Sequence, residues 1–218
     1  MEEKLEFFFI RHADACEPDS EGRDVCDRKV TALGEKQLLL LGERFAGAHF
    51  DAVLSSPLVR CVKTAAAVAN RLDDHPVIEI VPELIEKGAT PNYAGCPLSY
   101  LTQYYDNLKL CEDTIFGFGG GNFPNVTKSE AMERARCLVK YLKNRFTYGQ
   151  KVLLFSHACF GNSFLPSAIH IREEEFRMTL FNTSVSKIKY TPDGVERMSF
   201  QNDVSHLLSI MPEFQYEI

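Results

Sequence analysis

The sequence predicts an α/β fold, a three-layer sandwich on a mostly parallel central sheet, with an inserted lid segment. Three observations predict it. Short apolar runs alternate with longer helix-like stretches, the pattern of strands joined by crossover helices. Two of those runs, FFFI and KVLLF, are apolar without alternation, as strands covered on both faces are. The chain has 218 residues; at ~150 per domain that allows one domain, spanning 1–218, with an insertion at about 84–127.

The elements follow in order. Leu5–Ile10 is a buried strand ended by the charge of Arg11. The stretch 14–30 holds Pro18, Gly22 and six acidic residues and reads as a loop. Thr31 caps a helix to about Phe45, with Glu35 in its first turn and Leu33, Leu40 and Leu41 as apolar positions. Asp51–Leu54 is a second strand. Pro57, at a favoured first-turn position, opens a helix through about Leu72, and Pro76–Val81 is a third strand. From Glu83 to Val126 the composition turns to Gly, Asn, Pro and aromatics (Tyr93, Tyr100, Tyr104, Tyr105, Phe116, Phe118, Phe123), with one helix expected at 98–110. That stretch reads as a cover over something else, not as a separate domain. Lys128–Phe146 is a long helix, Lys151–Phe155 a buried strand and Asn162–Ile169 a short helix. Val185–Tyr190 and Val195–Phe200 flank Pro192–Gly194 as a terminal hairpin.

Composition excludes several functions. The 45% hydrophobic and 25% charged fractions are those of a globular chain. A formal charge of −6 argues against nucleic-acid or anionic-membrane partners, which need a basic face. Seven cysteines, an odd number with no CxxC spacing, suit reduced thiols better than a zinc site or a disulfide framework. No apolar run approaches a membrane span of ~20 residues, and MEEKLEFFFI lacks a signal-peptide core. The expectation is a soluble, cytoplasmic protein. A homodimer is compatible with the sequence, which does not specify one.

Chemistry collects at strand ends. FFFI runs into Arg11 and His12, and KVLLF into Ser156 and His157. In open α/β sheets ligands sit beyond the carboxyl ends of strands. A third end, LSSPLVRCVKTAAAVA, leads through Ser55, Ser56 and Pro57 into a helix whose N-terminus favours anions, with Arg60 and Thr64 four apart on one face. Two histidines, two arginines and a helix N-terminus suit a phosphate. Arginine forks match phosphate oxygens, and imidazole is a nucleophile at neutral pH.

The segments FIRHADA, VTALGEKQ, LSSPLVRCVKTA, LIEKG and LLFSHACF, in that order, resemble the histidine phosphatase superfamily, which includes the cofactor-dependent phosphoglycerate mutases. NTSVSKIKY and NDVSHL resemble its terminal strands. The likeness covers both ends of the chain and weakens across 87–127. It implies that His12 accepts the phosphoryl group, that Arg11, Arg60 and His157 form the phosphate pocket, and that Glu86 is the acid/base. Glu83, three residues earlier, is the alternative acid. The chain departs from the family in three places: Ala13 and Ala158 stand where glycine is usual, and Pro18 where asparagine is common, with Asp14 or Ser20 as replacements for that contact.

The expected activity is phosphomonoester hydrolysis of a small phosphorylated metabolite through a phosphohistidine. No metal or other cofactor is expected, since histidine and arginine supply the charge. A mutase-type isomerase is the first alternative, but segment 84–127 offers only Lys87 and Lys109 against four acidic residues, a poor cradle for bisphosphates. A protein phosphohistidine phosphatase is the second; such compact relatives lack the insertion and the glutamate. A non-catalytic phosphate-binding module is the third, though it should have lost a core residue. GFGGGN, at 117–122, is neither a P-loop nor a dinucleotide fingerprint, and Gly117–Gly121 reads as the hinge of the lid. Cys61 and Cys159 read as small buried fillers, and Tyr104 and Phe118 as lid residues that select substrates.

Overall fold

The computed structural model of the chain describes residues 3–15, 29–87, 96–113, 115–116, 127–171 and 177–213. Seven strands form one sheet: β1 Leu5–Arg11, β2 Ala52–Ser55, β3 Ile78–Ile80, β4 Leu108–Leu110, β5 Lys151–Ser156, β6 Val185–Tyr190 and β7 Glu196–Asp203. Their order is β4-β3-β2-β5-β1-β6-β7. The first five run parallel, and β6 and β7 add an antiparallel edge.

The run of apolar residues in β1 explains the layers. Successive side chains of a strand point to opposite faces. Phe7 and Phe9 enter a cluster with Leu138 and Leu142 of helix α4 (Lys128–Arg145) and Phe160 and Phe164 of α5 (Ala158–Ala168). Ile10 enters the opposite cluster with Leu41 of α1 (Ala32–Phe45) and Val62 of α2 (Val59–Ala69). Helices therefore cover both faces, and the sandwich has three layers.

Local chemistry sets the helix starts. Thr31 caps α1 by accepting from the Gly34 backbone N–H, and Thr127 and Glu130 form a capping box on α4. A side chain at Gly34 would collide with the Asp14 carbonyl, so only glycine lets α1 press against the loop leaving β1.

Two expectations are corrected. The helix at 98–110 is a single turn, α3 (Leu98–Leu101), followed by β4. Leu108–Leu110 pair instead with Ile78–Ile80, so tertiary pairing decides a segment whose local pattern was ambiguous. The described part of the insertion thus extends the sheet, while Gly117–Gly121, Tyr93 and Phe118 lie outside the described residues. The helix expected at Asn162 begins at Ala158, directly after His157, which is its N-cap residue.

Candidate active site

Register brings the strand ends together. Arg11 pairs with Ser156 across β1 and β5, and Ser55 with Phe155 across β2 and β5. The next residues along each chain segment, His12, Ser56 and His157, therefore leave the sheet side by side. The His12 and His157 rings lie 5.1 Å apart between centroids. His12 is 8% exposed and His157 not at all, so His12 is the ring reachable from solvent.

His12 is held in one tautomer. Its Nδ1–H donates to the Ala13 carbonyl at 2.7 Å; a carbonyl can only accept, so the neutral ring carries its lone pair on Nε2. The backbone around it is fixed as well. The His12 N–H donates to the Ser156 carbonyl at 3.0 Å, and Asn182 Nδ2 donates to the His12 carbonyl at 3.0 Å. The Ala13 N–H donates to Thr64 Oγ1, whose hydroxyl donates to the Arg60 carbonyl. Ala13 is fully buried with both backbone polar groups engaged, and this turn accommodates its methyl group.

His157 sits between two partners. Arg60 Nη2 donates to its Nδ1 at 3.3 Å, which leaves Nε2–H to donate to Ser56 Oγ at 2.9 Å. Burial holds the His157 pKa well below the usual value, and Arg60, His12 and Arg11 push it the same way. The ring is neutral at pH 7. Arg11 donates through Nη1 to the Leu180 carbonyl at 2.7 Å, while its buried Nε has no hydrogen-bond partner among the described residues.

The two glutamates part company. Glu86 accepts from the N–H groups of Lys87 (2.7 Å), Cys159 (3.3 Å) and Phe160 (2.8 Å), so its carboxylate sits on the N-terminus of α5. Burial raises its pKa, against the pull of those bonds and of Arg60. Glu83 is 2% exposed and turns away, toward the backbone of Ile115 and Phe116 and toward Arg134. The structure thus brings Arg11, His12, Arg60, His157 and Glu86 to one place and leaves Glu83 out of it.

Other residues took places that the sequence did not announce. Ser56 contacts His157, and the Ser156 hydroxyl donates to the Leu84 carbonyl at 2.6 Å, tying β5 to the turn before Glu86. Cys61 is buried, with Sγ 3.3 Å from His157 Nε2, and burial pushes its thiol pKa up to about 12. It is no nucleophile at neutral pH. Cys159 is exposed, not a buried filler. Asp14 accepts from the Thr31 hydroxyl at 2.5 Å and is spent on the α1 cap; Pro18 and Ser20 lie outside the described residues. Tyr104 lines a groove of about 400 Å³ between α1 and α2, with Leu39, Asn70 and Arg71. Among the described residues no group of three or more His, Cys, Asp or Glu could hold a metal ion, and no helix is long and apolar enough to cross a membrane.

Residues 7–203 match the sequence model described as the histidine phosphatase superfamily (branch 1). A broad-specificity phosphatase of Saccharomyces cerevisiae is 28% identical over 176 residues, covering 77% of this chain and 71% of the yeast protein. The mycobacterial glucosyl-3-phosphoglycerate phosphatase superposes with a TM-score of 0.64 at 15% identity, covering 91% of this chain and 99% of that one. A mutant phosphoserine phosphatase from Entamoeba histolytica, in complex with phosphoserine, superposes at 0.62 with 16% identity, covering 94% and 100%. At such identities the two superpositions speak for the fold alone.

Proposed function

The chain belongs to branch 1 of the histidine phosphatase superfamily, and from that premise we propose that it hydrolyses small phosphomonoesters through a phosphohistidine on His12. The observation that carries this reading is the Nδ1–H bond of His12 to the Ala13 carbonyl, which leaves the lone pair on Nε2 of a ring packed against His157, around which Arg60 and Arg11 also gather.

Nε2 attacks phosphorus, the P–O ester bond breaks, and the leaving alkoxide takes a proton from Glu86. Water then attacks the phosphohistidine, giving its proton to the Glu86 carboxylate, and inorganic phosphate leaves. Phosphoryl transfer needs positioning and charge neutralisation, which Arg11 and Arg60 supply. His157 is neutral because it is buried, and the field of the surrounding arginines adds to that. A bound phosphate dianion reverses that local field and lets the ring carry a proton against a phosphate oxygen. Protonating an alkoxide calls for a carboxylic acid with a raised pKa, which Glu86 has. No metal enters this scheme, because a cation in the pocket would compete with Arg11 and Arg60 for the same oxygens. The pocket grips the phosphoryl group that all substrates share, in keeping with the broad specificity of the yeast relative.

Substrate labelled in the phosphoryl group, quenched in mid-turnover, should leave acid-labile, alkali-stable phosphate on the protein, absent from His12→Ala. Base-labile or thiol-linked phosphate would refute the assignment. Glu86→Gln should slow alkyl phosphates by about 10²-fold or more while sparing p-nitrophenyl phosphate, whose leaving group needs no proton. Equal slowing of both would remove Glu86 from the acid role.

A further inference from the structure

Arg134, on α4, is the largest fully buried side chain of the described structure. A buried guanidinium without a counter-charge in contact is strongly disfavoured, and a hydrophobic residue of similar volume usually serves packing better. Yet Arg134 forms no ion pair among the described residues, and its Nε has no hydrogen-bond partner there. Its contacts point to a local use.

Nη2 donates to the Ile85 carbonyl at 2.9 Å, one residue before Glu86. The guanidinium lies 4.4 Å above the Phe160 ring, and it is the Phe160 N–H that donates to Glu86 Oε1. One buried cation therefore touches both parts of the Glu86 seat: the turn that carries the acid and the first turn of α5 that receives it. We propose that Arg134 is the positioning residue of the acid, clamping the Glu86 turn onto α5 and holding a positive charge behind the carboxylate.

This inference rests on the reading of Glu86 as the acid, and it adds the residue that sets when Glu86 holds its proton. Several groups face that carboxylate: Arg11 from β1, Arg60 and Cys61 from α2, Arg134 from α4 and Cys159 from α5, with Lys87 next in the chain. Arg11 and Arg60 are neutralised by substrate when the phosphoryl group arrives. Arg134 is walled off from substrate, so its charge is the one that persists through the cycle. Burial lowers the Arg134 pKa to about 10, with Glu86 and Glu83 opposing, so it remains a cation at neutral pH. A fixed positive charge favours ionised Glu86; its removal raises the Glu86 pKa.

The test uses Arg134→Met, close in length and uncharged, and Arg134→Gln, which keeps a donor for the Ile85 carbonyl should the first not fold. In either variant the carbon-13 titration of the Glu86 carboxyl should move up by about 0.5 pH unit or more. The alkaline limb of the kcat profile for an alkyl phosphate should follow it. The limb for p-nitrophenyl phosphate should stay, and Arg134→Lys, which keeps the charge, should lower kcat on alkyl phosphates with the limb in place. A folded neutral variant with an unmoved Glu86 titration overturns the proposal, even where Glu86→Gln has upheld the acid. A moved titration with equal slowing of aryl and alkyl phosphates by Glu86→Gln keeps the clamp and discards the acid.

Discussion

Glu83 and Glu86 carry the same carboxyl group three residues apart, and only their surroundings separate them. Glu86 stands on three backbone N–H groups beside Arg60. Glu83 is buried with Oε2 unbonded among the described residues, and burial raises its pKa as well. An amide there replaces a carboxyl group whose charged form burial disfavours. Glu83→Gln should therefore leave kcat on alkyl phosphates within about twofold and the thermal midpoint little changed. A loss on alkyl phosphates alone, measured beside Glu86→Gln, would exchange their roles. The pair also marks a limit of sequence reading. Spacing placed both residues after the third strand, but which of them faces the arginines depends on the pairing of β3, β5 and α5. Arg134 left one faint mark: it lies on the apolar face of its helix with Ala131, Ala135 and Leu138.

Elements buried on both faces were the legible ones, because FFFI and KVLLF have no polar side to hide. The β5–α5 junction is less legible: Ala158 starts a helix immediately after His157, four residues before the Asn162 that the pattern suggests, and no loop residue announces it. The local pattern hides β4 within an expected helix because its partner strand lies some thirty residues away. The C-terminal 3-10 segment Ser205–Glu213, read only as part of a terminal strand motif, braces the back of the site. There His206 Nδ1 accepts from Arg44 of α1, and its Nε2–H donates to Thr183 Oγ1. Thr183 has a φ of 56°, unfavourable for a β-branched residue. Its neighbour Asn182 holds the His12 carbonyl, so this brace keeps a strained turn in place. Burial lowers the His206 pKa to about 4, with Arg44 adding to the shift. The unfolded chain, with His near 6.5, takes up the proton first. Stability is thus full above about 6.5 and falls as pH drops from there toward 4. Urea midpoints at pH 7.5, 6 and 5 should show this fall, and His206→Gln should make it shallower. It should not vanish, because His157 titrates in the same sense. An unchanged slope would mean that His206 is not held neutral. Glu79, bonded to Arg145 and Lys109 with its pKa lowered to about 2, adds its own loss only below its unfolded value near 4.5.

At the scale of the molecule, a chain of formal charge −6 gathers Arg11, Arg60 and Arg134 around one end of its sheet. Conformational stability there is limited by three like charges, which among the described residues meet only two buried carboxyl groups, Glu86 and, beside Arg134, Glu83. An anion seated in the pocket should therefore stabilise the whole fold. Sulfate is the suitable probe, since it stays a dianion from pH 6 to 8 and any pH dependence then belongs to the protein. At about 100 times its dissociation constant it should contribute ~2.7 kcal/mol, a rise of about 5–10 °C in Tm for a domain of this size. The rise should be larger at pH 6 than at pH 8, because the bound dianion lets His157 take up a proton that the empty pocket refuses. Sulfate also stabilises proteins generally by exclusion from their surfaces, so the measurement is the increment over Arg60→Ala, which keeps the general effect and loses the site. Chelator should leave the increment unchanged, as a pocket charged by arginine requires. Equal increments in the two proteins would place the anion elsewhere, and an increment that grows with pH would show that His157 does not take up the proton.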